Sequence, residues 1–280
     1  MSHGVADLLP GRVDESERTY TTTLTVAGAR PRTVRISQGR PGFARVEVEG
    51  RMLGERAAAD LERSVRRVLN LDEDLSEFYR LVEDDPDLSW AVTGAGRMLR
   101  TPTVFEAVVK TIMTTNVAWS ATVRMVTALV EHLGEPAPTG AHAFPTVEAM
   151  ASRPESFYRN AVRAGYRSAY LQALASGVVA GSFDVEGLGA ESEVPDDEVA
   201  VQLLALPGIG PYGAAHLMML LGRHSRLILD SWTRPKYAQV SGRKASDAAV
   251  ERRFRRYGKY SGLAFWLYLT KDWVPDEESS

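Results

Sequence analysis

The chain has 280 residues, of which 44% are hydrophobic and 25% are charged, so it can bury a sizeable core. Cysteine is absent, which excludes disulfides, thiolate zinc sites, iron–sulfur clusters held by cysteine and cysteine nucleophiles. The formal net charge of −3 argues mildly against a nucleic-acid partner, although five Arg or Lys residues lie within residues 251–260. Because the sequence has no run of about 18 apolar residues and no signal-peptide pattern, we expect a soluble cytoplasmic protein without a membrane partner.

Residues 18–50 have the pattern of β-strands. β-branched and polar residues alternate in two stretches, and Gly and Pro separate them. From about Ala57 the apolar spacing becomes that of helices, and no further convincing strand follows. The sequence therefore predicts an α+β protein that is mainly α, with a small antiparallel sheet domain over residues 1–70 and a helical domain over residues 71–280.

The helical part begins with an apolar segment at residues 104–113. Its apolar residues recur at intervals of three and four, which predicts a buried helix with a wide apolar face. Further helices are predicted at residues 118–133, 146–152, 154–163, 166–180, 195–205, 211–221, 232–240, 246–256 and 260–271.

Residues 195–222 predict a helix, a tight glycine turn and a second helix. Pro207 ends the first helix and Pro211 suits the first position of the second, while Gly208 and Gly210 leave the backbone bare. Amides at a helix N-terminus bind anions, so this hairpin predicts a site for a DNA phosphate that requires no basic side chain. The alternative is an ordinary connection between two core helices.

Two polar residues near predicted helix ends have local explanations of their own. Asn116 follows the helix at 104–113, where Asn is a common capping residue. Asp230 follows three apolar residues and precedes a predicted helix, which is typical of an N-cap. The Arg and Lys residues of 251–260 similarly fit a solvated helix face as well as a nucleic-acid contact.

With the hairpin in place, the sequence resembles the helix-hairpin-helix DNA glycosylases, in the branch that contains 3-methyladenine and 8-oxoguanine glycosylases. The resemblance covers roughly residues 100–273 and includes the LPGIGPY turn and an Asp eighteen residues after Tyr212. The absence of cysteine excludes the sibling branch with an iron–sulfur loop. The resemblance implies a two-lobed helical bundle, an active-site cleft between the lobes, and a small sheet ahead of the helices.

The resemblance assigns roles to individual residues. Asp230 would be the catalytic carboxylate, and Asn116 would be the wedge that fills the gap left by an everted base. The DNA-binding residues would be Asn116, Gly208, Ile209, Gly210, Pro211 and Tyr212. The base pocket would be lined by Tyr212, Trp119, Trp232, Phe265, Trp266 and Tyr166, although each of these aromatics also fits a core position.

Two substitutions relative to the family bear on the reaction. Strand-cleaving relatives carry a Lys where this chain has Tyr212, so the sequence predicts a monofunctional enzyme that leaves an abasic site. Phe265 replaces a polar residue of oxoguanine-specific relatives, and the aromatic Tyr212 suits a cationic alkylated purine. Release of an oxidised purine is the first alternative, and a non-catalytic damaged-DNA-binding protein is the second.

The resemblance requires no cofactor. In relatives the hairpin binds a monovalent cation through backbone carbonyls, and the matching positions are Leu204, Leu206 and Ile209. We therefore expect a structural Na⁺ or K⁺ at the hairpin, double-stranded DNA with a damaged base as the partner, and a monomer.

Overall fold

A computed structural model describes residues 4–189 and 192–273. Within these residues the chain forms a four-stranded antiparallel sheet followed by helices. The strands are β1 Arg12–Asp14, β2 Thr19–Val26, β3 Ala29–Gln38 and β4 Ala44–Val48. The helices are α1 Glu55–Val68, α2 Ser76–Val82, α3 Val104–Thr114, α4 Trp119–Leu133, α5 Val147–Ala151, α6 Glu155–Asn160, α7 Arg167–Val179, α8 Asp196–Ala205, α9 Pro211–Leu220, α10 Thr233–Ser241, α11 Asp247–Phe254 and α12 Ser261–Thr270.

The sheet follows the chain in the order β1-β2-β3-β4 and packs on α1. In the register, Val34 of β3 lies opposite Thr22 of β2 and Val48 of β4. Side chains alternate across a strand, so Val34 and its neighbours at even spacing face one side. Leu24, Val26, Val34 and Ile36 form a core there with Leu61, Val65 and Val68 of α1. The predicted sheet is confirmed, and β1 adds a three-residue strand that is too short to show a sequence pattern.

The helices enclose two separate hydrophobic cores. The first core contains Ile112, Leu129, Leu174 and Leu203, from α3, α4, α7 and α8. The second core consists mainly of side chains from residues 75–98 and 228–269, including Phe78 of α2 and Leu269 of α12. The second lobe is therefore formed by two separate parts of the sequence, and most of the first lobe lies between them in the chain. This arrangement confirms the predicted two-lobed helical bundle.

Helix α9 belongs to both lobes. Leu217 is fully buried in the first core, whereas Met219, two residues later, is buried in the second. A helix can pack against two cores when apolar residues surround most of its circumference, and the sequence HLMMLL of residues 216–221 has this composition. The second helix of the hairpin is consequently fixed by packing from two sides.

A buried ion pair attaches the N-terminal segment to the first lobe. Glu106 and Lys110 lie one turn apart on α3, with 2.7 Å between Oε1 and Nζ, and both are almost fully buried. The Lys110 ammonium also donates to the Leu8 carbonyl at 2.9 Å. Because Val5 and Leu8 also join the first core, the first few described residues pack outside the sheet's own core. The domain boundary near residue 70 stays a prediction.

The predicted helices from residue 104 onward agree with the structure to within a few residues at each end. Helix α2 was not predicted, because seven residues contain too few turns for a periodic pattern. No helix in the described part of the chain has both the length and the apolar content that a membrane crossing requires.

Candidate active site

The hairpin has the predicted form of two helices joined by a glycine turn. Helix α8 ends at Ala205 and α9 begins at Pro211. Gly208 has φ of 77° in the left-handed region, and a Cβ at this position would lie 2.6 Å from the Tyr170 ring. Glycine is therefore required twice over, by backbone conformation and by the close approach of Tyr170.

The turn buries its apolar side chains and exposes its backbone. Leu206 and Ile209 are buried, whereas Gly210 and Pro211 are exposed. Gly210 is the N-cap residue of α9 and provides no side-chain cap. The first amides of α9 therefore have no side-chain cap and lie at the positive end of the helix dipole. An anion site at this turn stays a prediction.

Asp230 lies at the bend before α10. Its Oδ1 accepts hydrogen bonds from the backbone N–H groups of Trp232 at 2.9 Å and Thr233 at 2.6 Å. In return, the Thr233 hydroxyl accepts from the Asp230 N–H at 2.8 Å. No described residue donates to the second oxygen, Oδ2, and the side chain is half-buried. The carboxylate is thus fixed by one oxygen and can offer the other to a substrate.

Tyr212, the residue after Pro211, is under the electrostatic influence of Asp230. Burial raises the pKa of the Tyr212 phenol, the Asp230 charge raises it further, and a hydrogen bond with Thr114 partly opposes both. The phenol therefore stays protonated at neutral pH. The influence of Asp230 and the hydrogen bond with Thr114, the last residue of α3, mean that the Tyr212 phenol lies near both residues.

His216, one turn after Tyr212 on α9, is a site residue that the sequence reasoning missed. Its Nδ1 lies 3.3 Å from the Tyr212 hydroxyl, and the two rings meet edge to face with centroids 5.7 Å apart. Burial lowers the pKa of the His216 imidazole to about 4, so it is neutral at physiological pH. The available sequence signal was the i, i+4 spacing of Tyr and His on a predicted helix.

Three tryptophan rings, from α12 and the segments that flank α10 and α12, lie together. The centroid of Trp232 is 5.6 Å from that of Trp266 and 5.7 Å from that of Trp273. Trp266 and Trp273 are 6.1 Å apart and perpendicular. Trp232 links this cluster to Asp230 through its backbone, because the Trp232 N–H donates to the Asp230 carboxylate.

The predicted pocket residues separate into two groups. Tyr212 lies within the electrostatic influence of Asp230, the Trp232 N–H is bonded to it, and Trp266 packs on the Trp232 ring. Trp119 instead packs against Gly4, whose Cβ, if present, would be 3.0 Å from the indole. Phe265 is 1% exposed and packs on Phe254 in the second core, with ring centroids 5.2 Å apart. The described contacts of Trp119 and Phe265 are thus packing contacts.

Tyr166, the residue before α7, contacts the turn between α3 and α4 that carries Asn116. Its hydroxyl is 3.4 Å from the Thr115 carbonyl, which the Arg167 guanidinium also approaches as a donor. Asn116 itself has φ of 46°, a left-handed conformation that Asn tolerates better than most residues. Tyr166 is 51% exposed and meets Tyr170 edge to face at 6.1 Å. Tyr166 therefore lies beside the predicted wedge.

Tyr170 and Arg167 are the other residues here that the sequence analysis did not single out. Tyr170 packs on Gly208 of the hairpin, and Arg167 binds the wedge turn and stacks on Tyr166 at 4.4 Å. The start of α7 therefore connects the hairpin to the turn that carries Asn116. Adjacent aromatic and arginine residues at a helix start were the only sequence signal.

Most of the basic run at residues 251–260 forms ion pairs within the second lobe. Arg253 pairs with Asp87, Arg256 with Asp85, and Lys259 with Glu77. Within residues 4–189 and 192–273, Arg252 and Arg255 are the members of the run without an acidic partner. Ion pairs within the chain therefore account for three of the five basic side chains.

The carbonyl groups predicted to hold a monovalent cation lie at the end of α8 and in the turn. The Leu206 carbonyl accepts the Ile209 N–H at 3.2 Å, which closes the turn and leaves one lone pair of that oxygen. Carbonyl oxygens at a helix C-terminus carry the negative end of the dipole. The donor chemistry at Leu204, Leu206 and Ile209 fits Na⁺ or K⁺.

The fold is similar to that of solved DNA glycosylases. The apo form of the Clostridium acetobutylicum 8-oxoguanine glycosylase/lyase matches with a TM-score of 0.72 and 19% identity, over 96% of this chain and 91% of that chain. Its complex with double-stranded DNA containing cytosine opposite 8-oxoG matches with a TM-score of 0.73 and 20% identity, over 97% and 90% of the two chains. The 3-methyladenine DNA-glycosylase from Archaeoglobus fulgidus gives 0.72 and 20%, over 96% and 92%.

These likenesses span nearly the whole of each chain, so the fold is that of the helix-hairpin-helix DNA glycosylases. No family model and no curated protein matches the sequence.

The neutral His216 predicts a specific dependence of stability on pH. An unfolded histidine has a pKa of about 6.5, whereas His216 in the folded chain has a pKa of about 4. Between these values the unfolded chain takes up a proton that the folded chain does not, so His216 lowers the free energy of unfolding as the pH falls from about 6.5 to about 4. Urea unfolding of His216→Gln should show a weaker loss of stability across this window.

The control for this measurement is His132→Gln, which changes an exposed histidine on α4. The wild type and this control should lose stability together as the pH falls. Equal pH dependence in all three proteins would contradict a neutral, buried His216.

Proposed function

We propose that the chain is a monofunctional DNA glycosylase that everts a damaged purine, most favourably an alkylated one, and hydrolyses its N-glycosidic bond. The observation that carries the proposal is Asp230, which is held through Oδ1 at the start of α10 while no described residue donates to Oδ2. The fold, shared with 8-oxoguanine and 3-methyladenine glycosylases, supports the same conclusion.

DNA binding would use the hairpin backbone. The exposed amides at the start of α9 would hold a phosphate of the lesion strand, which positions the duplex without reading its sequence. This contact does not require a basic patch on the protein surface, which agrees with the net charge of −3. A Na⁺ or K⁺ held by the Leu204, Leu206 and Ile209 carbonyls would add positive charge at the same turn.

Eversion would use the turn that carries Asn116. The left-handed backbone at Asn116 and the Arg167 bond to the preceding carbonyl fix the conformation of this turn. An Asn side chain entering the duplex would fill the space left by the everted nucleotide and donate or accept hydrogen bonds with the remaining base. Tyr166, exposed beside Asn116, would contact the same region of the duplex.

Bond cleavage would use the Asp230 carboxylate. As the bond between C1′ and the purine nitrogen breaks, its electron pair leaves with the base and positive charge develops on the sugar. A fixed carboxylate next to that sugar stabilises the charge, and Oδ2 can accept a proton from the attacking water. The bonds from Trp232 and Thr233 keep the carboxylate in place throughout.

The site composition favours a cationic base. Tyr212, Trp232 and Trp266 provide aromatic faces, His216 is neutral, and Asp230 contributes a negative charge. A positively charged alkylated purine is attracted both by aromatic faces and by the carboxylate. The nearby cations Arg234 and Lys236 are already paired, with Asp247 and Asp272 respectively.

An oxidised purine is the second candidate substrate. The likeness to an 8-oxoguanine glycosylase/lyase, in a complex that contains 8-oxoG, favours it. The chain nevertheless carries Phe265 in a packed core position, where it adds no hydrogen-bonding group to read an oxidised base. A non-catalytic damaged-DNA-binding protein is a third candidate, which the substitution described next distinguishes.

Asp230→Asn should reduce base release at least about a hundredfold, because the variant removes the negative charge from the developing cation. The Asn side-chain oxygen can still accept from the Trp232 and Thr233 amides, so the start of α10 should remain intact and binding to damaged duplex should persist. Single-turnover release from a lesion-containing duplex, with binding measured in parallel, checks both parts.

Asp247→Asn provides a matched control. Asp247 is the first residue of α11, and its exposed carboxylate pairs with Arg234 of α10. Its turnover should equal that of the wild type. Unchanged turnover in Asp230→Asn would rule out the catalytic assignment, whereas normal binding with no release by the wild type would favour the non-catalytic protein.

Strand cleavage by a covalent amine intermediate should not occur. Tyr212 stays protonated, and Lys236 donates to Asp272 at 2.6 Å, so neither offers a free amine or phenolate to the sugar. Borohydride reduction in the presence of DNA with an abasic site should therefore leave the protein unlinked, with a glycosylase/lyase as the positive control. A reduced protein–DNA adduct would contradict the monofunctional assignment.

A further inference from the structure

The last strand of the sheet, β4, has no partner strand on its outer edge within the described chain. Just before β4, the Phe43 carbonyl accepts from the Gly39 N–H at 3.0 Å. Just after it, the Glu49 N–H donates to the Thr33 carbonyl at 2.9 Å. The direction of hydrogen bonding alternates along an antiparallel strand, so the odd-numbered residues of this segment bond to β3. The N–H and C=O groups of residues 44, 46 and 48 therefore point away from the sheet.

Two valines of β4 extend an apolar surface beyond the helix that covers it. Val46 lies opposite Ile36 of β3, and Val48 lies opposite Val34. Residues that lie opposite each other in a sheet face the same side, so all four belong to the face that packs on α1. Val34 and Ile36 are buried there, whereas Val46 and Val48 are 38% and 42% exposed. Helix α1 therefore covers this face as far as β3 and leaves the apolar side chains of β4 uncovered.

The opposite face of β4 carries one positive and one negative side chain. Arg45 and Glu47 flank Val46 in the chain, and both are exposed. They lie on the same face, with 2.8 Å between Nη2 of Arg45 and Oε1 of Glu47. The strand Ala44–Val48 is thus centred on Val46, with a positive residue on one side and a negative residue on the other. A strand with this pattern is complementary to a second copy of itself that runs antiparallel.

Backbone and charge together select one register for such a pair. When Val46 lies opposite Val46 of the second copy, all three outward-pointing residues of each strand find a partner, which gives about six backbone hydrogen bonds. Arg45 then lies opposite Glu47 of the second copy, and Glu47 opposite its Arg45. A shift by two residues in either direction would place Arg45 opposite Arg45, or Glu47 opposite Glu47. Like charges directly opposite each other destabilise a sheet.

The other edge of the sheet differs from β4. Strand β1 has only three residues, and the Val13 N–H at its centre donates to the Asp7 carboxylate at 2.8 Å. A short edge strand whose donor is already bonded resists pairing with another strand. No described residue bonds to the outward backbone groups of β4, which is five residues long. The edge at β4 is therefore the one that can accept a further strand.

We infer that β4 pairs antiparallel with β4 of a second copy of this chain, about a twofold axis at Val46, and joins the two four-stranded sheets into one. A twofold axis requires a surface that is complementary to itself, which β4 provides. Two five-residue strands bury less surface than a standard protein interface, so we expect a dissociation constant in roughly the micromolar range. The monomer expected from the sequence would then be the dilute state, and the dimer the concentrated one.

Sedimentation velocity of the full chain at rising concentration tests the association. The mean mass of the wild type should rise from 30.7 kDa toward twice that value. Val46→Pro removes the N–H that each copy donates at the axis, and it breaks no bond to β3 because proline is tolerated where the N–H of an edge strand faces outward. Its dissociation constant should be at least about tenfold higher than that of the wild type. Val46→Ile, the matched control, keeps the N–H and should associate as the wild type does.

Exchange of charges tests the register. Arg45→Glu and Glu47→Arg each place like charges opposite each other in a homodimer, so each variant alone should associate at least about tenfold more weakly than the wild type. In an equal mixture, the two basic residues of one variant lie opposite the two acidic residues of the other. The mean mass of the mixture should therefore return toward that of the wild-type dimer. This recovery requires both variants to be folded, so it separates loss of pairing from loss of the fold.

Three results would overturn the inference. A wild type that stays at 30.7 kDa at every concentration would exclude the second copy and leave the edge of β4 to a strand of another protein. Equal association of Val46→Pro and the wild type would place the interface elsewhere on the molecule. Charge variants whose association does not recover on mixing would exclude the register. Base release per chain should be equal in Val46→Pro and the wild type, because no residue of the proposed site lies in β4, so the glycosylase assignment is tested separately.

Discussion

The position of the hairpin turn, Tyr212 and His216 depends on the packing of α9 into both helical cores. Leu217 faces the first core and Met219 the second, so α9 cannot shift without disturbing apolar packing on two sides. The hairpin turn, with its exposed amides, sits at one end of this helix. Tyr212 and His216 occupy its first turns, and the chain reaches Asp230 soon after the helix ends. Apolar burial thus positions a site whose chemistry is polar.

Within that frame, Asp230 combines a structural and a proposed chemical role. Its Oδ1 satisfies two amides at the start of α10, which is the work of an ordinary helix cap. The same bonds fix the direction of Oδ2, so the carboxylate does not need to reorganise when charge develops on a sugar. A neutral His216 and a protonated Tyr212 add no positive charge to compete with a cationic base.

The sequence predicted the fold well because its signals are local. Alternation over residues 18–50, helical periodicity and the LPGIGPY turn each arise within one element, and each agrees with the structure. The pocket was harder to predict, because an aromatic residue at a given position is equally consistent with a core and with a ligand wall. Phe265 and Trp266 are adjacent in the chain, yet Phe265 is buried in the second core while Trp266 lines a cavity. Adjacent residues on a helix point in different directions, so these two side chains enter different environments. The spacing of apolar residues in the sequence does not define the direction of each side chain closely enough to separate them.

The remaining site features depend on distant residues. The basic run at 251–260 was a candidate DNA contact, but acidic partners at residues 77–87 bind three of its five members. His216 carried no signal beyond its i, i+4 spacing from Tyr212, because the burial of a side chain depends on how distant elements pack. Long-range contacts of this kind require the fold to be known first.

The central claim is tested most directly by base release from duplexes that each contain one 3-methyladenine, 7-methylguanine, hypoxanthine or 8-oxoguanine, with and without subsequent alkali. The proposed function predicts release of the alkylated purines, with strand cleavage only after alkali. Preferential release of 8-oxoguanine would replace the alkylated substrate with an oxidised one. No release from any of the four duplexes would contradict the glycosylase assignment itself.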